Sequence, residues 1–214
     1  KNFSSNKIES ESRIEVLVVA IHNETLSRYQ EILAKTKIKS ESFEMEIFSN
    51  IRSSLSHDLI PVLMMDFGAS KTKISIVEAG VVHVFHVINR GSSGITKNIA
   101  QSLNISFLEA EKLKRNIGLA ESDNADLKDI INLSIDYIFS ETKSVVFAYE
   151  KKYNKSVSKV VLTGGGSLLK GLLKKAKESL NTEVVHTNPF FKTEAPAFLQ
   201  PVLEDNGPEF SIAV

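Results

Sequence analysis

Pro61-Val62-Leu63-Met64-Met65-Asp66-Phe67-Gly68-Ala69-Ser70-Lys71-Thr72 is the stretch on which the reading of this chain turns. Apolar residues run straight into an acid, a glycine follows two positions later, and a β-rich run (Ile74, Ile76, Val77) comes after it. Glu78-Ala79-Gly80 then marks a turn before a third apolar run, Val81–Ile88. Short apolar runs separated by glycine-bearing turns predict strands joined by hairpins. Asp66 is thereby placed at the mouth of a buried strand. Glycine lets a backbone come close to a ligand. Successive turn amides form an anion nest, and a nearby carboxylate can hold a cation or its waters against that anion. Such a turn suits a metal-bound nucleotide phosphate, although a strand-end D-x-G by itself also reads as a plain hairpin turn.

Composition narrows the classes. Hydrophobic content of 42% with 24% charged residues is that of an ordinary soluble globular chain of 214 residues, long enough for one large domain or two small ones. Lys plus Arg equals Asp plus Glu, at 26 each, so no net field favours nucleic acid or an anionic membrane. With no cysteine the chain has no disulfide, thiolate metal site or cysteine nucleophile, which fits a reducing compartment. No apolar run reaches the ~18–20 residues of a membrane helix, and no signal peptide is read at the start. The chain opens without methionine and closes on Phe210-Ser211-Ile212-Ala213-Val214, as expected of a piece of something longer.

Outward from the central stretch, residues 1–12 read as a polar loop and Ile14–Ile21 as a buried strand. Asn23 is the expected N-cap of a helix to Lys35. A short strand at Ser42–Glu46 and a helix through Leu55 lead into the three strands. Beyond them, Arg90–Gly94 reads as a loop opening a helix at Ile95, and Ser106-Phe107-Leu108-Glu109 as a capping box for a helix ending at Gly118. Glu121–Asn124 is a polar turn, and Ala125–Tyr153 one long helix with a buried stripe. Lys159–Thr163 predicts a strand, Ser167–Leu180 a helix, Val184–His186 a strand, and a closing helix is expected to start near Pro208. The order β-β-β-α-β-α-β-α implies a mixed sheet flanked by helices. His83 and His86, three apart on a strand, face opposite ways and make a poor metal pair. Phe190-Phe191 reads as core packing or a partner patch.

Two further features can converge with the Asp66–Thr72 turn. Glu111 and Lys114 stand at i and i+3 on one helix face, where a carboxylate can accept from ribose hydroxyls and a lysine stem can pack on a base. The same pair also reads as a solvated ion pair. Thr163-Gly164-Gly165-Gly166-Ser167 leaves a strand for a helix start, where free amides favour an anion or a flat ring, or simply make a generous turn. It is neither the G-x-G-x-x-G nor the Walker A pattern.

At these spacings the set resembles the actin-like ATPase superfamily of actin, Hsp70 and sugar kinases. Met65–Thr72 is similar to its second phosphate motif, and Val160–Ser167 to its adenosine motif. Within it the chain resembles the PilM family of type IV pilus assembly proteins, relatives of FtsA. That resemblance is carried by the D-x-G-A-x-x-T form, the Thr96 helix, Ala110–Arg115 followed by Gly118, and Pro208–Val214. It implies an α/β, actin-like (ribonuclease H-like) fold with a mixed five-stranded sheet, lacking the family's N-terminal part. It implies ATP and Mg2+ as cofactors. Asp66 would stand beside the metal, Gly68, Ala69, Ser70, Lys71 and Thr72 would cradle phosphates, and Glu111 and Lys114 would flank adenosine above Gly164, Gly165, Gly166 and Ser167. Glu46 would be the catalytic, water-positioning acid.

The resemblance also implies an organisation. Residues 1–38 would be the tail of a small inserted subdomain and 39–60 part of a first lobe. Residues 61–89 with 157–214 would be the second-lobe core, and 90–156 its helical outer part. The implied partners are the cytoplasmic tail of PilN and other inner-membrane pilus proteins, with self-association open and no nucleic acid or membrane insertion. The protein would be cytoplasmic and peripheral to the inner membrane. The family's first D-x-G turn is missing upstream of Arg13, so at most a weak ATPase of the intact protein is implied; an FtsA-like division filament and a small-molecule kinase are the alternatives.

Overall fold

Each β-run of the central stretch is apolar on alternate positions toward two different partners, and that double demand sets the architecture of the computed structural model, which describes residues 15–56, 59–119 and 125–214. β1 (Val62–Phe67) is buried at every position. Leu63, Met65 and Phe67 enter one core, while Val62 and Met64 enter a second. β2 (Thr72–Glu78) and β3 (Val81–Ile88) extend the sheet antiparallel as expected. β4 (Lys159–Thr163) and β5 (Glu183–His186) extend it parallel on the other side. The order is β3-β2-β1-β4-β5, a mixed five-stranded sheet.

On the larger face lie α3 (Ser92–Leu103), α4 (Phe107–Ile117), α5 (Ala125–Tyr153) and α6 (Leu172–Leu180). Spacings of three and four bring Leu127, Ile131, Ile135, Ile138 and Phe139 of α5 into the core. α4 starts at the expected capping box, with the Ser106 hydroxyl accepting from the Glu109 amide, and stops at Gly118. The second face is covered by α2 (Glu46–Ser54), whose Ile47, Phe48 and Ile51 pack near Met64, Val77 and Val161. α7 (Gln200–Phe210) closes the chain.

Several expectations are corrected. Glu15–Ile21 forms no strand, and Val16, Leu17, Val18, Val19 and Ile21 are exposed. A strand exists only through a ladder partner, and none pairs with this segment among the described residues. Ser42–Met45 is likewise not a strand, and Glu46 is instead the first residue of α2. α3 begins at Ser92, so the Gly-Ser-Ser-Gly run is its first turn and not a loop. Ser167–Leu180 is not one helix. A 3-10 turn at Gly165–Leu168 is separated from α6 by Gly171, whose φ of 80° breaks helical geometry. α7 starts eight residues before Pro208, and Pro201 is the proline in its first turn. The expected turn at Glu121–Asn124 lies outside the described residues.

The chain divides into two units, Lys1–Phe43 and Glu44–Val214. In the first, α1 (Asn23–Thr36) follows His22 as its cap residue and carries the exposed pairs Glu24–Arg28 and Glu31–Lys35. Among the described residues no helix is long and apolar enough to cross a membrane.

Candidate functional site

The hairpin register builds the first wall. Phe67 pairs with Thr72 and Asp66 with Lys73, leaving Gly68–Lys71 as the connecting turn. The Gly68 amide donates to the Lys71 carbonyl at 3.1 Å, and the buried Thr72 hydroxyl donates to the Arg90 carbonyl at 2.8 Å. The start of α3 braces the turn, with Ser92 N–H to the Gly68 carbonyl at 3.0 Å and Ser93 N–H to that of Ala69 at 2.8 Å. The Ala69 and Ser70 amides find no acceptor among the described residues.

The second wall leaves β4 at Gly164, whose φ is 80° and whose amide donates to the Pro208 carbonyl at 2.7 Å. A Cβ there would strike the Asp66 carboxylate and stand 2.8 Å from the Phe67 carbonyl oxygen. The glycine is thus demanded by both conformation and space. Ser167 is fully buried, and its hydroxyl closes the turn on the Gly164 carbonyl at 2.6 Å. Gly165 and Gly166 amides also lack acceptors among the described residues.

The third wall is a charged network at the junction of α3 and α4. Lys114 is buried, and its ammonium reaches Glu111 Oε2 at 2.7 Å, Thr96 Oγ1 at 2.9 Å and the Ser92 carbonyl at 3.2 Å. Glu111 also accepts from Thr96 at 2.5 Å and from Arg115 at 2.8 Å. Burial works against ionisation of Glu111, but the bonds from Lys114, Thr96 and Arg115 outweigh it and hold its carboxyl at about 2.

These walls enclose a cleft of about 520 Å³, within the range of small-molecule sites. Of the residues singled out in the sequence, Ala69, Glu111, Lys114, Gly165 and Gly166 line it. Phe67, Ile95, Leu168 and Leu169 give it apolar surface, and Lys170, Asn206 and Glu209 complete the rim. The other expected residues are elsewhere. Gly68, Thr72 and Ser167 shape the turns, Lys71 is exposed, and Ser70 lines a neighbouring hollow of about 300 Å³ beside Arg90. Asp66 is buried behind Gly164 and borders a gap of only about 20 Å³ with Glu46 and Lys73. Burial pushes the Asp66 carboxyl up, Lys73 pulls it down, and Glu46 adds to the rise.

Free amides, buried and rim cations and an apolar floor fit a nucleotide. The expected metal acid, Asp66, does not line this cleft and is paired with Lys73, and no cluster of three acidic or histidine groups that could hold a metal occurs among the described residues. A divalent ion would therefore be carried by phosphate oxygens and water and not by protein carboxylates.

Four contributors escape a reading of the sequence alone. Lys73 could have been found by counting across the hairpin, since a turn at Gly68–Lys71 sets it opposite Asp66. Thr96 is buried and joins Glu111 to Lys114, a link visible only once α3 and α4 are packed. Asn206 and Glu209 carry no local signal, because α7 is brought to the cleft by tertiary packing.

In sequence, residues 63–214 match the family model of the cell division protein FtsA. The chain is 26% identical to FtsA of Bacillus subtilis over 148 residues, 60% of this chain and 34% of that protein. It is 22% identical to FtsA of Neisseria meningitidis over 201 residues, 83% and 48% of the two. It therefore spans a third to a half of the curated relatives it matches. A PilM-PilN type IV pilus biogenesis complex superposes with a TM-score of 0.77 at 22% identity, covering 89% of this chain and 56% of that one. MreB5 of Spiroplasma citri bound to ADP superposes at 0.65 with 13% identity, covering 79% and 62%. The fold is the actin-like ATPase fold, and the chain belongs to the FtsA family.

Proposed function

We propose that this chain carries the nucleotide-binding lobe of an actin-like ATP-binding component of type IV pilus assembly. The observation that carries the reading is the cleft itself, which brings together turn amides without an acceptor among the described residues, an apolar floor and the pair of Glu111 with buried Lys114. In this reading Glu111 and Lys114 flank the adenosine, with Gly164, Gly165, Gly166 and Ser167 forming the strand-to-helix turn beneath it. The turn from Gly68 through Ala69, Ser70 and Lys71 to Thr72 holds the phosphates. Mg2+ carried by phosphate oxygens and water would neutralise phosphate charge, with Asp66 nearby and paired to Lys73. Glu46 would orient water at the phosphate end from the start of α2.

Residues 61–89 with 157–214 serve as the second-lobe core, 90–156 as its helical outer part, 39–60 as first-lobe sequence and 1–38 as the tail of an inserted subdomain. The pilus assignment draws on the PilM-PilN likeness. Its partner would be the short cytoplasmic tail of a PilN-like inner-membrane protein, which would keep the protein cytoplasmic and peripheral to that membrane. A titration of labelled tail peptide into the full-length protein tests this, with saturable binding expected; its absence rejects the pilus role. Calorimetric titration with ATP tests the cleft, and no binding rejects the nucleotide reading. The FtsA family match favours a second reading, a filament-forming division protein, for which ATP-dependent sedimentation of the full-length protein would be the sign.

A further inference from the structure

We propose that Lys73 is the resident cation of the phosphate end: its ammonium occupies the place between Asp66 and Glu46 that a divalent ion would take, so the site binds nucleotide without needing Mg2+. The nucleotide half of this inference rests on the function proposed above, whereas the placement of Lys73 stands on geometry. The hairpin register sets Lys73 directly across from Asp66 on the same face of the sheet. Its Nζ lies 2.5 Å from Glu46 Oε1 and 3.5 Å from Asp66 Oδ2. One ammonium therefore joins a strand-end carboxylate to the first residue of α2. Among the described residues no other cation reaches either acid within ion-pair distance.

Space enforces the assignment. The gap bordered by Glu46, Asp66 and Lys73 is about 20 Å³, room for a single water and too small for a hydrated Mg2+. The Asp66 side chain is only 11% exposed, so its charge is taken out of water and requires a partner. A second tie holds the frame on the other side of Asp66. Asn50 of α2 donates to the Thr163 hydroxyl at 3.0 Å, and Thr163 is the β4 residue paired with Asp66. α2 is thus tied to the strand ends at both Glu46 and Asn50. Removing the ammonium would leave two carboxylates facing each other in a confined gap, a situation that recruits a cation.

The test uses the full-length protein and the metal alone as first probe. Melting temperature is followed in MgCl2 against NaCl of matched ionic strength. The wild type and Lys73→Arg are expected to show no Mg2+-specific rise, whereas Lys73→Gln and Lys73→Met show one, because binding to the folded state alone raises its melting point. A Mg2+-specific rise in the wild type equal to that of Lys73→Gln, or no rise in a folded Lys73→Gln, overturns the proposal. ATP affinity is then measured in Mg2+ and in chelator. The wild-type constants are expected to agree within about threefold and those of Lys73→Gln to differ by more than about tenfold. Loss of wild-type ATP binding in chelator overturns the proposal even if the neutral variants fail to fold. If ATP binds under neither condition, the nucleotide reading falls, and the Mg2+ melts alone decide the place of Lys73.

Discussion

Replacing Glu111 by alanine isolates the contact on which the third wall depends. The Lys114 side chain is 7% exposed and, among the described residues, its ammonium has Glu111 as its only acidic partner, at 2.7 Å. Without Glu111 that charge keeps only the Thr96 hydroxyl and the Ser92 carbonyl, at 2.9 and 3.2 Å. Breaking a fully buried pair costs roughly 3–5 kcal/mol because the survivor is left uncompensated. Glu111 is 24% exposed and its second partner Arg115 is 71% exposed, so that limb is largely screened. A loss of about 2 kcal/mol is therefore expected, or roughly 4–8 °C in melting temperature for a domain of this size. The double replacement Glu111→Leu with Lys114→Met removes both charges and should recover more than half of that loss. The assay is thermal and urea unfolding of wild type, both single variants and the double, read as a double-mutant cycle. Additive effects, or a Glu111→Ala loss below about 0.5 kcal/mol, would show an ordinary surface pair and refute the argument.

The remaining predictions concern the same site. Gly164→Ala should lose about 2 kcal/mol or more, because its φ of 80° disfavours a side chain and the added Cβ meets Asp66 and Phe67, and ATP affinity should fall with it. A wild-type melting point in that variant would contradict the packing described. Asn50→Ala should lose about 1–2 kcal/mol by removing the bond to Thr163 and the acceptor used by Ser54, measurable by urea unfolding. For acid, the sign follows from Glu111 being held at about 2 against an ordinary 4.5. Its contribution is complete above the ordinary value and is lost as pH falls through the folded one. Screened by solvent, this is on the order of 1 kcal/mol between about pH 4.5 and 2, and Glu111→Gln should flatten that limb of the stability profile.

The meander and both β4 and β5 were legible because alternating or continuous apolar runs broken by Gly80 and Gly164 leave the backbone few choices. The capping box at Ser106 and the stripe of α5 were legible for the same local reason. Glu15–Ile21 was misread because its apolar run has the composition of a strand while pairing is a property of the partner. The helix after the triple glycine was misread because Leu168, Leu169 and Leu172 keep helical spacing across a break that Gly171 imposes.

At the site the division is between motif and placement. Sequence alone determined that Asp66, the Glu111–Lys114 pair and the glycines would lie at strand ends and helix faces, since those positions follow from local periodicity. Only the tertiary structure decided that Gly165, Gly166, Glu111 and Lys114 share one cleft while Asp66 turns to the other side of Gly164 toward Lys73 and Glu46. Which face a strand-end side chain takes depends on the sheet register and on the helix packed above it. Those are contacts between residues far apart in the chain, and no short-range pattern encodes them.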